Sequence, residues 1–313
     1  MYEISHAIAE INDKLPSIIY KLDEPMRNHT TFRVGGPVRA MFLPDNSETL
    51  VELCKLLSEC GVESLVIGNG SNMLVSDSPL DLVVVKTTGL DGIELSGDND
   101  YAITAGAGVP LSKLAEFAQN NALKGLEFAY GIPGSVGGAV SMNAGAYGSE
   151  MKDVVYSTTI VSTGKGTHAI SGEGTHTITG GEHGFRYRSS RFSNTGDIIV
   201  SSTIKLAKGN KDEICEKMND LSAKRSASQP LEASAGSTFK RPKNDCYAAS
   251  LIEQAGLKGF TIGDAQVSEK HSGFIVNRGS ATFSDIIKVI EYVQKTVFAQ
   301  FQIELEPEVK IIR

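Results

Sequence analysis

The stretch GIPGSVGGAVSMNAGAYG, residues 131–148, carries six glycines and no Lys, Arg, Asp, Glu or His. Loops that face water are usually more polar than this. Glycine allows backbone N–H groups to converge on an anion without a side chain in the way. A neutral glycine-rich backbone therefore suits a pyrophosphate that lies against an apolar ring system. The alternative is a set of tight turns between strands, because a single glycine motif is weak evidence for a site.

Two further glycine-rich stretches precede it, namely IGNGSNML (67–74) and AGAGVP (105–110). Neither matches the GxGxxG fingerprint or the GxxxxGK[ST] phosphate loop, so the sequence supports neither a Rossmann nor a P-loop site. Ser71, Asn72 and Ser135 add neutral hydrogen-bonding groups to these stretches. Three such stretches in one region favour a large bound cofactor over simple turns.

Composition narrows the class of protein. The chain has 313 residues, of which 41% are hydrophobic and 21% charged, so two or three domains are expected. The net charge of −7 argues against a nucleic-acid partner. No apolar run reaches the length of a membrane span, and the N-terminus lacks a signal-peptide pattern. The four cysteines form no CxxC pair and are interpreted as reduced thiols in the cytoplasm. The histidines lack metal-ligand spacing, so no metal is expected.

Hydrophobic periodicity predicts an α+β chain, with a small α/β unit first, a strand-rich part from about residue 89 to 206, and a helical part after it. The predicted helices are 47–60 with Ser47 as N-cap, 111–122, 211–225, 247–256 and 284–301. The last is capped by Ser284 and shows an apolar face of Ile287, Ile290, Val293, Val297 and Phe301. The predicted strands are 64–68, 81–86, 101–108, 153–162 and 197–207.

Charged residues mark two candidate functional segments. FRYRSSRF (185–192) is predicted to be a strand, with Arg186 and Arg188 on one face and Tyr187 on the other. It could be either a solvated basic edge or an anion site. IELEPEV (303–309) alternates like an edge strand with three glutamates on one face, and the pattern does not choose among them.

A third candidate segment is AGSTFKRP, residues 235–242. Small neighbours leave room for a ligand to approach Ser237, although serine and glycine also form ordinary turns. Lys240 and Arg241 follow at once, and the pair is suited either to phosphates or to a solvent-exposed surface.

Taken in order along the chain, six motifs resemble the UDP-N-acetylenolpyruvoylglucosamine reductase family. They are RNHTTFRVGG (27–36), IGNGSNMLVSD (67–77), GLEFAYGIPGSVGGAVSMNAGAYG (125–148), FRYRSSRF (185–192), AGSTFKRP (235–242) and LEPEV (305–309). The short interval between the arginine and serine motifs resembles the family's shorter branch, which lacks a tyrosine-bearing lid loop.

The resemblance implies an α+β fold made of a two-part FAD-binding region of the vanillyl-alcohol-oxidase type and a C-terminal α+β substrate domain. We place the first FAD-binding subdomain at 1–88, the second at 89–208 and the substrate domain at 209–303. We leave open whether a C-terminal strand at about 304–313 returns to the first subdomain.

The same resemblance implies a function in peptidoglycan precursor synthesis in the bacterial cytoplasm. The expected reaction is NADPH-dependent reduction of UDP-N-acetylglucosamine enolpyruvate to UDP-N-acetylmuramate through bound FAD. A UDP-sugar is then the small-molecule partner, and neither nucleic acid nor membrane insertion is expected.

Site residues follow from the resemblance, position by position. The implied catalytic residues are Ser237 as the proton donor to carbon, Arg188 at the substrate carboxylate and Glu308 near the enolate. Tyr187, Lys240 and Arg241 are implied to bind substrate. The implied FAD-binding residues are Gly68, Asn69, Gly70, Ser71, Asn72, Gly131, Ile132, Pro133, Gly134, Ser135, Gly138, Asn143, Gly145 and Ala146. We expect non-covalent FAD, because the three glycine-rich stretches contain no His or Cys.

Two alternatives remain at this stage. One is another flavoprotein of the same superfamily, such as a sugar or alcohol oxidase. The other is a non-catalytic sugar-nucleotide-binding protein that has lost its flavin. A yellow protein would exclude the second alternative.

Overall fold

The computed structural model describes residues 2–96, 101–162, 175–242 and 246–313. The α-helices are α1 (Tyr2–Lys14), α2 (Ser47–Glu59), α3 (Leu111–Asn120), α4 (Val136–Ser141), α5 (Phe192–Thr195), α6 (Lys211–Ser228), α7 (Ala248–Gln254) and α8 (Phe283–Phe301). Short 3-10 helices lie at Met26–Asn28, Thr87–Gly89, Glu127–Ala129, Met151–Asp153 and Gly180–His183.

The strands up to the middle of the chain are β1 (Ile19–Pro25), β2 (Pro37–Leu43), β3 (Ser64–Ile67), β4 (Met73–Val75), β5 (Leu80–Lys86), β6 (Ile93–Ser96), β7 (Ala102–Gly106), β8 (Leu123–Lys124), β9 (Gly145–Ala146) and β10 (Ser149–Glu150). The later strands are β11 (Val155–Val161), β12 (His176–Thr179), β13 (Ile198–Lys205), β14 (Ala207–Lys208), β15 (Thr261–Ile262), β16 (Ala265–Val267), β17 (Ile275–Asn277) and β18 (Lys310–Ile312).

The chain packs as two compact units. The first unit consists of residues 1–22, 40–69 and 81–223, and the second of residues 23–39, 70–80 and 224–313. The three-domain division at 1–88, 89–208 and 209–303 stays a prediction.

Antiparallel strands form the centre of the first unit. A five-stranded sheet has the order β12-β11-β13-β7-β6. A second sheet has the order β1-β2-β5-β3, and within it β3 and β5 run parallel. The apolar faces of α2 and α3 bury Leu50, Leu53 and Leu114 in one continuous core with the strands. Burial of this kind is the main favourable contribution to folding.

Helix α8 organises the second unit. It buries Ile286, Val289, Ile290, Val293 and Val297 in a core shared with α7 and the small antiparallel sheet β15-β16-β17. The C-terminal strand β18 pairs in parallel with β4, with Lys310 opposite Met73. The end of the chain is thereby held by backbone hydrogen bonds.

Both helix caps differ from the sequence prediction. The cap of α2 is Asn46 rather than Ser47, and its Oδ1 accepts the backbone N–H of Thr49 at 2.8 Å. The cap of α8 is Thr282 rather than Ser284, in a capping box with Asp285. In each case another favoured capping residue stands one or two positions earlier, and at α8 Asp285 completes the capping box with Thr282. The buried face of α8 is accordingly centred on Ile286 and Val289, while Ile287 and Phe301 are only partly buried.

The predicted edge strand at 303–309 is also wrong. Leu305 and Val309 are buried as the alternation indicates, but the segment forms only an isolated bridge between Pro307 and Phe239. Two backbone bonds flank this bridge, from the Lys240 N–H to the Glu306 carbonyl and from the Glu308 N–H to the Thr238 carbonyl, so the pairing is local and does not extend into a strand.

The length and the hydropathy of a helix decide whether it can span a membrane. Within the described residues, no helix is both long and apolar enough to span a bilayer.

Candidate active site

The second and third glycine-rich stretches pack against each other in the first unit. The backbone N–H of Val136 donates to the carbonyl of Val109, and that of Gly137 donates to Ala107, both at 2.9 Å. A Cβ on Gly137 would lie 2.9 Å from the Cβ of Ala107, which real contacts essentially never show. Glycine is therefore needed for the backbones to approach this closely.

Ser135 is the residue that best indicates a ligand site. Its side chain is 1% exposed, and its Oγ has no hydrogen-bond partner among the described residues. An unpaired buried hydroxyl costs about 1–3 kcal/mol, so a partner is expected in the functional protein. Gly68 lies against the same hydroxyl, since a Cβ there would be 2.1 Å from Oγ. A phosphate oxygen, such as those of FAD, would supply the acceptor that this hydroxyl lacks, so these residues fit the cofactor.

Local contacts shape the rest of the third stretch. The N–H of Gly134 donates to the carbonyl of Ile132 at 2.9 Å and closes the turn around Pro133, and the carbonyl of Gly134 accepts from Leu111 at 2.9 Å. Gly138 lies near Ser135, since a Cβ on it would be 3.7 Å from the Ser135 Oγ. Gly145 and Ala146 form β9, and a Cβ on Gly145 would be 2.7 Å from the Ser149 carbonyl oxygen.

The arginine segment is a turn, and its prediction as a strand is wrong. Arg186 and Ser189 exchange backbone hydrogen bonds of 2.9 and 3.2 Å, so Tyr187 and Arg188 occupy the two central positions. Arg188 has a φ of 51°, a left-handed conformation that costs a non-glycine residue of order 1–3 kcal/mol. Such strain is common at functional sites.

The turn presents Tyr187 and Arg188, two of the residues that the resemblance implies to contact substrate. The Arg188 guanidinium lies 5.1 Å from the centre of the Tyr187 ring and donates to the carbonyl of Gly145 at 3.4 Å. The Tyr187 side chain is about half exposed. Arg191 has a different environment, since it forms an ion pair with Asp197 at 3.1 Å.

In the second unit, the segment after Asn69 is joined to the chain that carries Glu308. Gly70 has a φ of 60°, and a Cβ on it would lie 2.0 Å from the carbonyl oxygen of His29. After Ser71, the Asn72 side chain donates to the carbonyl of Glu308 at 3.2 Å. The backbone carbonyl of Asn72 accepts from Lys310 at 3.0 Å.

Ser237 and Glu308 lie on neighbouring segments of this unit. The backbone N–H of Glu308 donates to the carbonyl of Thr238 at 2.8 Å, one residue after Ser237. On its other side, Ser237 is bridged to Phe274. Ser237 is exposed and Glu308 is partly buried. Two of the three implied catalytic residues are thus brought together by backbone pairing, and Arg188 belongs to the first unit.

The basic pair that follows Ser237 is occupied by local partners. Lys240 forms an ion pair with Glu306, which is mostly exposed. The guanidinium carbon of Arg241 lies 4.3 Å from the centre of the Tyr247 ring. A surface ion pair contributes little to the free energy of unfolding. Replacing Glu306 by a phosphate as the partner of Lys240 would therefore cost little free energy.

Sequence reasoning missed a buried polar chain in the first unit. His183 is fully buried, and its ring nitrogens bond to the Gly180 carbonyl and the Thr158 hydroxyl, both at 2.9 Å. Its ring stacks on Phe185 with a centroid separation of 4.9 Å. Burial lowers the pKa of His183. Nothing in the sequence distinguishes this histidine, because Thr158 lies 25 positions away.

Metal-ligating side chains do not gather in the described residues. No group of three or more His, Cys, Asp or Glu side chains there is arranged to hold an ion.

Comparisons with known proteins decide the family. A model of an FAD-binding domain matches residues 38–171, and a model of the UDP-N-acetylenolpyruvoylglucosamine reductase C-terminal domain matches residues 229–312. A UDP-N-acetylenolpyruvoylglucosamine reductase of Agathobacter rectalis is 46% identical over 97% of this chain and 98% of its own length. One of Caldanaerobacter subterraneus is 44% identical over 96% and 97%.

The chain belongs to the UDP-N-acetylenolpyruvoylglucosamine reductase family. A crystal structure of the reductase from Thermus caldophilus superimposes with a TM-score of 0.77 at 32% identity and covers 95% of this chain and 99% of its own. The predicted α+β class, with an FAD-binding region followed by a C-terminal domain, is confirmed. The chain is accordingly an FAD-dependent oxidoreductase.

Proposed function

We propose that this protein reduces the enolpyruvyl ether of UDP-N-acetylglucosamine to UDP-N-acetylmuramate, with NADPH as the hydride donor. The observation that carries the proposal is the similarity to reductases of that name, at 44–46% identity, over nearly the full length of both chains. The pathway is peptidoglycan precursor synthesis, and the proposed location is the bacterial cytoplasm. The proposed partners are the UDP-sugar and NADPH, without nucleic acid.

The residues proposed to hold FAD belong to the first and third glycine-rich stretches. In the first unit they are Gly68, Asn69, Gly131, Ile132, Pro133, Gly134, Ser135, Gly138, Asn143, Gly145 and Ala146. In the second unit they are Gly70, Ser71 and Asn72. Backbone N–H groups and the Ser135 hydroxyl bind the pyrophosphate. Bound FAD supplies the hydride chemistry between NADPH and the terminal carbon of the enolpyruvyl group.

Arg188 is proposed to bind the carboxylate of the enolpyruvyl group. Hydride addition to the terminal carbon moves negative charge onto this carboxylate, as in an enolate. A planar guanidinium can donate two parallel hydrogen bonds to it and stabilise the developing charge. The turn already holds the guanidinium near Gly145 and the exposed ring of Tyr187, which supports this role.

Ser237 is proposed to protonate the carbon that bears the ether oxygen. An alcohol is a weak acid, so it serves only a strongly basic acceptor such as the enolate. Glu308 assists this transfer, and the backbone bond between Glu308 and Thr238 supports their cooperation. Lys240 and Arg241 are proposed to bind the phosphates or the sugar, because both are cations close to Ser237 in the chain.

The test is NADPH consumption by the purified yellow protein, with and without the UDP-enolpyruvyl sugar. The proposal expects rapid consumption only with the sugar, and a product heavier by two hydrogen atoms. A superfamily oxidase would instead reduce oxygen with a sugar or alcohol and no NADPH. A binding protein without flavin would be colourless, and either result would refute the proposal.

A second measurement tests how FAD is attached. The three glycine-rich stretches hold no His or Cys, so acid denaturation should release all the yellow colour into the supernatant. Colour retained on the precipitated chain would contradict non-covalent binding.

A further inference from the structure

The turn that carries Arg188 needs support from outside itself. Arg188 stands at a φ of 51°, where glycine or asparagine is usual, and only two backbone bonds close the turn. A non-glycine residue stays in this conformation only when its surroundings hold it there. The position of the guanidinium therefore depends on what fastens residues 186–189.

Asn143 provides one fastening from within the third glycine-rich stretch. Its side chain is fully buried, and its Nδ2 donates to the Arg186 carbonyl at 3.1 Å and to Glu150 Oε2 at 2.5 Å. Its Oδ1 accepts the backbone N–H of Lys152 at 2.9 Å. The opposite amide orientation would point the NH₂ group at this N–H, so the network fixes the assignment. The amide is thus engaged in full within the protein.

Ser190 provides a second fastening at the other end of the turn. Its hydroxyl donates to the carbonyl of Ser141 at 2.7 Å, and Ser190 is buried. Together with the bond from Arg188 to Gly145, three hydrogen bonds join residues 141–145 to residues 186–190. They connect the stretch proposed to bind FAD with the turn that presents the arginine.

We propose that Asn143 is a positioning residue for Arg188, and that its amide acts through the Arg186 carbonyl rather than on the cofactor. This inference rests on the proposed role of Arg188 at the substrate carboxylate. It assigns the Asn143 side chain a task different from the FAD contact implied by resemblance. The amide holds the strained turn so that the guanidinium faces the carboxylate in a fixed orientation, which favours rapid reaction.

The variant Asn143→Asp tests the proposal most directly. Aspartate keeps the shape and the acceptor for Lys152, but it cannot donate to Arg186 and it faces the Glu150 carboxylate. Asn46→Asp is the matched control, because it makes the same change in the same unit at a helix cap where aspartate is equally good. Ser190→Ala is the second variant, in case Asn143→Asp does not fold.

Three readouts are compared under anaerobic conditions, namely the flavin spectrum, flavin bleaching by NADPH, and recovery of absorbance on adding the UDP-enolpyruvyl sugar. We expect Ser190→Ala to keep the spectrum and to bleach within about threefold of the unchanged protein. For Asn143→Asp, which lies in the stretch proposed to hold FAD, we expect recovery to slow more than bleaching. Recovery should slow about 10- to 100-fold, as when a hydrogen bond that positions a group is lost. The affinity for the UDP-enolpyruvyl sugar, measured from the change that its binding causes in the flavin spectrum, should fall in the same variants.

The inference is overturned if Asn143→Asp recovers as fast as Asn46→Asp, or if bleaching and recovery slow equally. Arg188→Ala separates this failure from a failure of the proposed function. If Arg188→Ala recovers normally, the role of Arg188 is wrong. If Arg188→Ala slows recovery and Asn143→Asp does not, only the positioning role is wrong.

Discussion

At the scale of single residues, the informative features are the Ser135 hydroxyl and its close neighbour Gly68. The Ser135 hydroxyl is buried and has no partner among the described residues, and a Cβ on Gly68 would lie 2.1 Å from its oxygen. An FAD phosphate oxygen would complete the hydrogen bonding of Ser135, and the lack of a side chain at Gly68 leaves the hydroxyl room to stay in place. The same pair therefore gives the sharpest test of the cofactor site.

Ser135→Ala should weaken FAD binding. The loss of a hydrogen bond to a charged group costs about 1.5–3 kcal/mol, which is roughly 10- to 150-fold in Kd. Gly68→Ala should also weaken it, because its Cβ would lie 2.1 Å from the hydroxyl oxygen. Titration of the flavin-free protein with FAD, followed by flavin fluorescence, measures both. Gly92→Ala is the control, since a Cβ there meets nothing within 4 Å. Unchanged affinity in Ser135→Ala would contradict the assignment.

At the scale of elements, caps and turns decide where each segment begins and which way its side chains face. The change from a strand to a turn at residues 186–189 places Tyr187 and Arg188 together at a tip, not on opposite faces. The alternation of charged and aromatic residues could not reveal this, because the turn has contacts with residues distant in the chain, such as the Asn143 side chain that donates to the Arg186 carbonyl.

The cap of α8 yields a stability prediction. Thr282→Ala removes the side-chain acceptor for the N–H of Asp285 and should lower the free energy of unfolding by about 1 kcal/mol. Ser284→Ala, two positions later on an exposed part of the helix, should change it by much less. Urea unfolding of both variants provides the comparison. Equal losses, or a larger loss for Ser284→Ala, would contradict the capping assignment.

The buried histidine of the first unit gives a pH prediction. Burial lowers the pKa of His183 in the folded protein, with Glu182 and Arg191 as the charged neighbours. In the unfolded chain the pKa of this histidine is about 6.5, so below that pH the unfolded state binds more protons than the folded state. The free energy of unfolding should therefore fall as the pH drops below about 6.5. Above that pH the contribution of neutral His183 to stability is fully present.

His183→Gln should make this fall shallower without abolishing it, because burial also lowers the pKa of His271 in the second unit. Urea unfolding midpoints at several pH values measure the slope. A slope identical to that of the unchanged protein would show that His183 does not contribute to the pH dependence.

At the scale of the whole molecule, the sequence predicted the family and the order of elements, because six motifs and clear periodicity are local signals. The helices at 47–59, 111–120 and 283–301 lie within a few residues of their predicted bounds. Hydrogen bonds between residues far apart in the chain could not be predicted from the sequence. Examples are the bond from Asn72 to the Glu308 carbonyl and the one from Ser190 to Ser141, which join residues far apart in the chain.

The candidate site stays a prediction, made from motifs and from the family resemblance. Residue types and motifs pointed to Ser237, Glu308 and Arg188, yet only the resemblance selected Glu308 from three alternating glutamates. The structure adds that Glu308 pairs with Thr238 and is partly buried, whereas Glu304 and Glu306 are exposed. The selection of Glu308 stays a prediction.

The central claim is that Ser237 serves only the second half of the reaction, and anaerobic stopped flow on Ser237→Ala tests it most directly. Ser284→Ala serves as the control for a serine-to-alanine change in the same unit. We predict that NADPH bleaches the flavin of Ser237→Ala at nearly the normal rate. Recovery of absorbance with the UDP-enolpyruvyl sugar should slow by at least the 10²–10⁴-fold, roughly 3–5 kcal/mol, typical of a lost general acid. Equal damage to bleaching and recovery, or normal recovery, would contradict the account.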